Sequence, residues 1–188
     1  MAQTEEEASD DRRCVAQTLA GDNSAFDRLV RRYAAMVYCI ALRMTDHEED
    51  ARDIQQETFL RAFRHLRNFR SEASFRTWLG TITARVCLTH RARRKVRPVE
   101  SLEDRHNLAS GDRDLAEQVS ARDEARAVQR ALTVLRADDR LVLVLKCVEG
   151  FSHEEIAETL GCSVDNSRVR LYRARKAFRA AFGQEYEL

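Results

Sequence analysis

The residues best equipped for chemistry in this sequence lie near its C-terminal end. Arg168, Val169, Tyr172, Arg173, Arg175, Lys176 and Arg179 crowd a short stretch, with Asp165 as the nearby carboxylate. If a helix starts at Val164, its spacing puts Val164, Ser167, Leu171, Ala174 and Phe178 on one face and turns the cations outward. Such a helix fits the major groove of DNA, where one guanidinium can bond both acceptors of a guanine edge. Arg175, Lys176 and Arg179, farther along, suit phosphates, which set register; each phosphate contact steepens the salt dependence of binding by about one unit. Asp165 in the first turn favours the helix dipole and can accept from a cytosine amino group.

The segment before it is built to hold that helix. Ser152 with Glu155 three residues on forms a capping box for a helix over Glu154 to Leu160, and Gly161 ends it before Val164 begins the next. Ile156, Ala157 and Leu160 offer the apolar bed, and two helices around so tight a turn form a helix-turn-helix candidate. A basic run by itself is usually a solvated helix face. Here the capping box, the tight turn and the acid-poor helix occur together, which favours DNA binding.

A second candidate spans Asn68 to Arg97, where Phe69, Phe75 and Trp78 sit beside Arg70, Arg76 and Arg85. Aromatic rings interleaved with cations grip unpaired nucleic acid strands by stacking and charge. The plainer reading is that Phe75 and Trp78 are core.

Other chemistry finds little support. The carboxylate and histidine clusters Asp46-His47-Glu48-Glu49-Asp50 and His153-Glu154-Glu155 lack the HExxH spacing that puts two metal ligands on one helix face. Both stand at expected helix starts, where carboxylates are favoured electrostatically. Cys14, Cys39, Cys87, Cys147 and Cys162 are odd in number and show no CxxC pairing, so they read as buried thiols in a reducing compartment. A redox pair of Cys147 and Cys162 requires the fold to bring them together. No catalytic residue, metal or cofactor is expected.

The elements that must position these residues are helical. The chain has 188 residues, 44% hydrophobic and 34% charged, with one proline and six glycines, which favours long helices over turn-rich sheet. Phe26, Leu29, Val30, Tyr33, Met36, Val37, Ile40, Ala41 and Met44 mark a first buried helical face, capped by Asn23 or Ser24. Ala51, Ile54, Thr58, Phe59, Ala62, Phe63 and Leu66 mark a second, with Asp53, Gln56, Glu57 and Arg64 on its polar side. Phe75, Trp78, Leu79, Ile82, Val86 and Leu88 mark a third, which runs into the cationic stretch Arg91 to Arg97 and stops at Pro98. Val99 to about Asp114 holds few large apolar residues and reads as a linker. Ala125, Val128, Ala131, Leu132 and Leu135 resume the helical pattern, followed by the dense run Leu141 to Val148, whose valines alone would suit a strand.

The expected architecture is all-α: two small helical domains joined by a flexible linker, the second carrying the helix-turn-helix. The expected division is a flexible N-terminal segment over 1–22, a first domain over 23–97, a linker over 98–122 and a second domain over 123–183. The net charge of +1 conceals segregation, since Arg85 to Arg97 is basic and Val99 to Glu124 mainly acidic. No apolar run approaches the roughly 20 residues of a membrane span, and the acidic start lacks a signal peptide's apolar stretch, so no membrane insertion and a cytoplasmic location are expected.

The order of these pieces resembles the extracytoplasmic-function group of RNA polymerase sigma factors from about Ala25 to Phe182. The run Asp50-Ala-Arg-Asp-Ile-Gln-Gln-Glu-Thr-Phe-Leu-Arg-Ala-Phe is similar to that family's polymerase-binding helix, followed by Phe75-Arg-Thr-Trp-Leu. Val148-Glu-Gly-Phe-Ser-His-Glu-Glu-Ile-Ala-Glu-Thr-Leu-Gly-Cys-Ser-Val and Arg170-Leu-Tyr-Arg-Ala-Arg resemble its second promoter-binding domain. The resemblance implies that Asp53, Gln56, Glu57, Phe59 and Leu60 meet the clamp coiled coil of core RNA polymerase. It implies that the segment from Asn68 to His90 holds the minus-ten element, and that Arg168, Val169, Tyr172 and Arg173 read the minus-thirty-five element of promoter DNA. It further implies an anti-sigma factor as partner and no additional C-terminal domain. Where the family commonly has Gly-Thr-Val, then a cation and Ser, this chain has Asp165, Asn166, Ser167, Arg168 and Val169, a departure that bears on the promoter sequence read.

Two rivals remain beside it: a self-sufficient helix-turn-helix repressor or activator with a sensing or dimerising first domain, and an enzyme or metal protein. The first leaves the Asp53 to Phe63 match unexplained. The second has only the two carboxylate clusters.

Overall fold

The computed structural model describes residues 5–70, 73–96 and 115–186, and every element among them is helical. In chain order these are α1 (Glu5–Leu19), α2 (Asn23–Thr45), α3 (Glu48–Arg64), a 3-10 turn (Leu66–Asn68) and α4 (Phe75–Val96). There follow α5 (Leu115–Val134), α6 (Ala137–Leu143) running into a π-helical turn (Val144–Val148), α7 (His153–Leu160) and α8 (Val164–Tyr186). The expected stop at Pro98, the expected linker residues 98–114 and Arg97, the expected last residue of the first domain, lie outside the described residues.

Helix α2 is the spine of the first half. Its expected apolar face is buried apart from Val30, which is half-buried. Its N-cap is Asp22 and not Asn23 or Ser24, which are already helical: the Asp22 carboxylate accepts from the Ser24 amide at 3.0 Å and its hydroxyl at 2.6 Å. At its other end Asp46 adopts the left-handed conformation, φ 69°, and its amide donates to the Leu42 carbonyl.

Residues 5–19, expected within a flexible segment, are helical. Few apolar residues signal α1, yet Cys14 and Val15 are buried. Its charged residues find partners on α2: Asp11, 1% exposed, accepts from Arg32 and from the Tyr33 hydroxyl, while Asp10 also accepts from Arg32. Helix α5 likewise starts at Leu115, so 115–122 is helix where linker was expected; its Ala, Glu, Gln and Arg residues are good helix formers.

Helices α3 and α4 complete the first half against α2. Ser74 caps α4, its hydroxyl accepting from the Thr77 amide at 3.0 Å. In the second half the run from Leu141 is helix and not strand, burying Leu141, Val142, Val144 and Leu145, with α8 packed against α5, α6 and α7. The two halves share one core. Helix α4 packs along α7, and Phe151 lies so close to Gly80 that a Cβ there would stand 3.0 Å from its ring.

Candidate nucleic-acid interface

The helix-turn-helix is held by local bonds. Ser152 Oγ accepts from the Glu155 amide at 3.1 Å, and Glu155 Oε2 accepts from the Ser152 amide at 2.7 Å, so the capping box is formed. Gly161 takes the left-handed conformation, φ 61°, that lets the Cys162 amide reach back to the Ala157 carbonyl at 2.9 Å. Ser163 then caps α8 by accepting from the Asn166 amide at 3.2 Å.

Buried small residues seat α8. Ser167 has no exposed surface; its Oγ lies 2.9 Å from His153 Nδ1 and donates to the Val164 carbonyl at 2.8 Å, tying α8 to α7. Burial, then Lys146 and Arg168, hold the His153 imidazole below its ordinary pKa. Leu171 and Ala174 are buried on the same face.

The opposite face is open. Arg168, Val169, Tyr172, Arg173, Arg175, Lys176 and Arg179 are all exposed, Tyr172 to 71%. Asp165 bonds Arg168 at 2.8 Å across a solvated surface, where such a pair is worth about 0–1 kcal/mol and gives way readily to a phosphate or base edge. Asn166 accepts from Arg170 at 2.9 Å, and Arg175 points a guanidinium nitrogen at the Cys147 thiol, 3.6 Å away.

The second candidate is arranged differently. Phe69, Phe75, Trp78 and Tyr33 form one aromatic cluster with ring centroids 5.4–5.6 Å apart. Phe69 and Phe75 are buried in it and Trp78 is half-buried, so in this arrangement Phe69 and Phe75 offer no face to a strand. Arg76, 7% exposed, turns away from solvent, its guanidinium 3.9 Å over the centroid of the Phe151 ring. Arg70 and Arg85 are exposed.

On α3, Asp53, Gln56 and Leu60 are exposed, while Glu57 is half-buried and accepts from Arg61 Nε at 2.6 Å. Phe59 is core, 9% exposed. Phe63, expected on the buried face, is 45% exposed and meets Phe26 edge-on; with Leu60 it makes an apolar patch that the helical spacing alone did not separate from the core.

The carboxylate clusters stand at the starts of α3 and α7, and Glu48 bonds Arg52 at 2.8 Å. Among the described residues no group of three or more His, Cys, Asp or Glu is placed to hold a metal, and no helix is long and apolar enough to cross a membrane. All five cysteines are free thiols, Cys147 exposed and Cys162 half-buried.

Two family matches cover most of the chain: residues 29–97 match sigma-70 region 2, and residues 125–178 match sigma-70 region 4. The chain belongs to the sigma-70 family. Within it, this sigma factor is 34% identical over 177 residues to the RNA polymerase sigma-H factor of Pseudomonas aeruginosa, covering 89% of this chain and 91% of that one. It is 34% identical over 174 residues to the ECF RNA polymerase sigma-E factor of Haemophilus influenzae, covering 88% and 92%. Among solved structures it resembles CnrH in complex with the cytosolic domain of CnrY, with a TM-score of 0.71 and 28% identity over 93% of this chain and 98% of that one. RpoE of Bartonella quintana, solved with the anti-sigma factor NepR, shares the fold with a TM-score of 0.66 at 23% identity over 84% of this chain and 96% of that one. The sigma factor is thus of the extracytoplasmic-function group, an initiation factor and not an enzyme.

Proposed function

We propose that this sigma factor acts in the cytoplasm, where it docks on core RNA polymerase through α3, reads the minus-thirty-five element with α8, and holds the unpaired minus-ten strand along α4. The observation that carries the reading is the outward face of α8, cationic and open to solvent on a helix seated by a formed capping box. Arg168, Val169, Tyr172 and Arg173 suit base edges, and Arg175 and Lys176 suit phosphates.

Asp53, Gln56, Glu57 and Leu60 form the docking face, a carboxylate-edged surface to which exposed Phe63 adds apolar area and under which Phe59 packs. For the minus-ten strand, Arg70, Trp78 and Arg85 are the side chains within reach of solvent, and Phe69 and Phe75 brace Trp78 from beneath. Stacking of one base on such a ring contributes about 1–3 kcal/mol, enough to offset unstacking it. An anti-sigma factor is the partner expected to control access to these faces, since two structural relatives were solved with CnrY and with the anti-sigma factor NepR.

The test is co-sedimentation of the full chain with bacterial core RNA polymerase, followed by run-off transcription on pooled genomic fragments. Stoichiometric binding with selective transcripts is the expected outcome, and Glu57→Lys should abolish co-sedimentation while leaving helicity and melting unchanged. Wild-type DNA binding without polymerase binding would instead favour the repressor or activator reading.

A further inference from the structure

We infer that α1 belongs to the strand-holding apparatus: Asp11, through the Tyr33 hydroxyl, positions the aromatic cluster that carries Trp78. The part this cluster plays in holding a strand rests on the function proposed above, whereas the tether from α1 stands on geometry. Asp11 is a positioning residue here, acting on Trp78 through two intervening rings.

The buried residues of α1 are Asp11, Cys14, Val15 and Thr18, so a carboxylate takes a place in its inward seam. Asp11 is 1% exposed and its two oxygens are divided: Oδ1 accepts from Arg32 Nη1, and Oδ2 accepts from the Tyr33 hydroxyl. A carboxylate is costly to bury unless charge and hydrogen bonds meet it, and α2 supplies both. An apolar residue at 11 would seal the same seam without fixing the phenol ring. The chain instead carries a buried group whose bond ends on one ring of the aromatic cluster.

From Tyr33 the path is continuous. Its ring centroid lies 5.5 Å from that of Phe75, which in turn lies 5.5 Å from Trp78, both pairs tilted by 44°. Phe69 closes the set, 5.6 Å from Phe75 and 5.4 Å from Trp78. A phenylalanine at 33 would offer the same ring face; tyrosine adds a hydroxyl, and that hydroxyl donates to Asp11. Burial, then Asp11, raise the Tyr33 pKa above its ordinary value, which keeps the hydroxyl a donor. A bond at the far end of the ring fixes its reach as well as its tilt. Close-packed rings pass that constraint on, because the interior has few voids to absorb a shift. Helix α1 meets the platform from a second side as well, packing against α4 and against the 3-10 turn Leu66–Asn68, from which the chain runs directly into Phe69 and Arg70. A base stacked on half-buried Trp78 would thus rest on a column that ends at Asp11.

Trp78 is the one tryptophan in the chain, so acrylamide quenching of the free full-length protein reads the platform directly. Tyr33→Phe keeps the ring and its helix propensity and removes the bond to Asp11. It should raise quenching of Trp78. It should also weaken, several-fold, the binding of reconstituted holoenzyme to the minus-ten single strand of a promoter recovered from the pooled genomic fragments, with helicity and core polymerase binding unchanged. Asp11→Asn should do the same, and the double variant should lose little more than either single one, because both remove the same bond. Asp10→Asn, which cuts the outer pairing to Arg32 and leaves Tyr33 held, should move neither readout. Full strand affinity in both single variants, or an Asp10→Asn effect as large as that of Asp11→Asn, would overturn the positioning role and leave α1 as packing alone. A Trp78→Ala chain that binds core polymerase and still holds the strand at full affinity would instead remove the α4 reading, whatever the Asp11 variants do.

Discussion

The start of α4 and the body of α8 both interleave arginines with aromatic rings, yet their fates are opposite: Phe75 is 1% exposed and Tyr172 is 71% exposed. The difference lies in how many neighbours each helix has. Helix α8 rests on α5, α6 and α7 along a single face built from Ser167, Leu171 and Ala174, and no described element packs on its far side. Helix α4 lies among α2, α3 and α7, so Phe75 and Arg76 at its start are drawn inward. Residue types suited to gripping nucleic acid are equally suited to bracing a core, and the number of packed faces decides between them.

The comparison breaks most readily at the rings. Phe75→Ala should cost about 3–5 kcal/mol in urea unfolding, because it empties the centre of the aromatic cluster. Tyr172→Ala should stay within about 0.5 kcal/mol of the wild type. Similar losses for the two would mean that α8 has a partner surface in the free protein.

Next come the arginines. Arg173→Ala should weaken binding of the holoenzyme to its promoter by about 1–3 kcal/mol and relax base preference upstream, with core polymerase binding and melting unchanged. Lys176→Ala should lower affinity more evenly across sequences and reduce the salt slope by about one unit, as footprinting over a salt series would read. Equal effects on promoter and core binding from Arg173→Ala would place the polymerase contact on α8.

The smallest effect sharpens the junction between the two regions. Ser152→Ala removes the acceptor for the Glu155 amide and should cost about 1 kcal/mol in thermal unfolding, with Ser152→Asp restoring most of it. Loss of protection confined to α7 would mark a local cap. Loss extending into α4 would follow from Glu155 also bonding Thr77.

Much of this was legible beforehand where the signal is local. The apolar face of α2, the capping box at Ser152, the turn at Gly161 and the outward set on α8 each depend on residues within a few positions of one another. The misreadings share a different cause. Helix α1 was hidden because Asp11 is satisfied by Arg32 and Tyr33 on the next helix, and Phe63 reads as core until the structure leaves one side of α3 uncovered.

By itself, then, the sequence determined the helical class, the order of the elements and the presentation of a cationic helix, since periodicity, caps and turn residues act over one or two turns. Only the tertiary structure decided that Arg76 faces Phe151 and Glu149 in place of solvent, that Phe69 and Phe75 form a buried brace, and that Arg140 is buried among other cations. Those outcomes depend on which helix arrives from far along the chain to cover a given face, and no short-range pattern encodes the arrival.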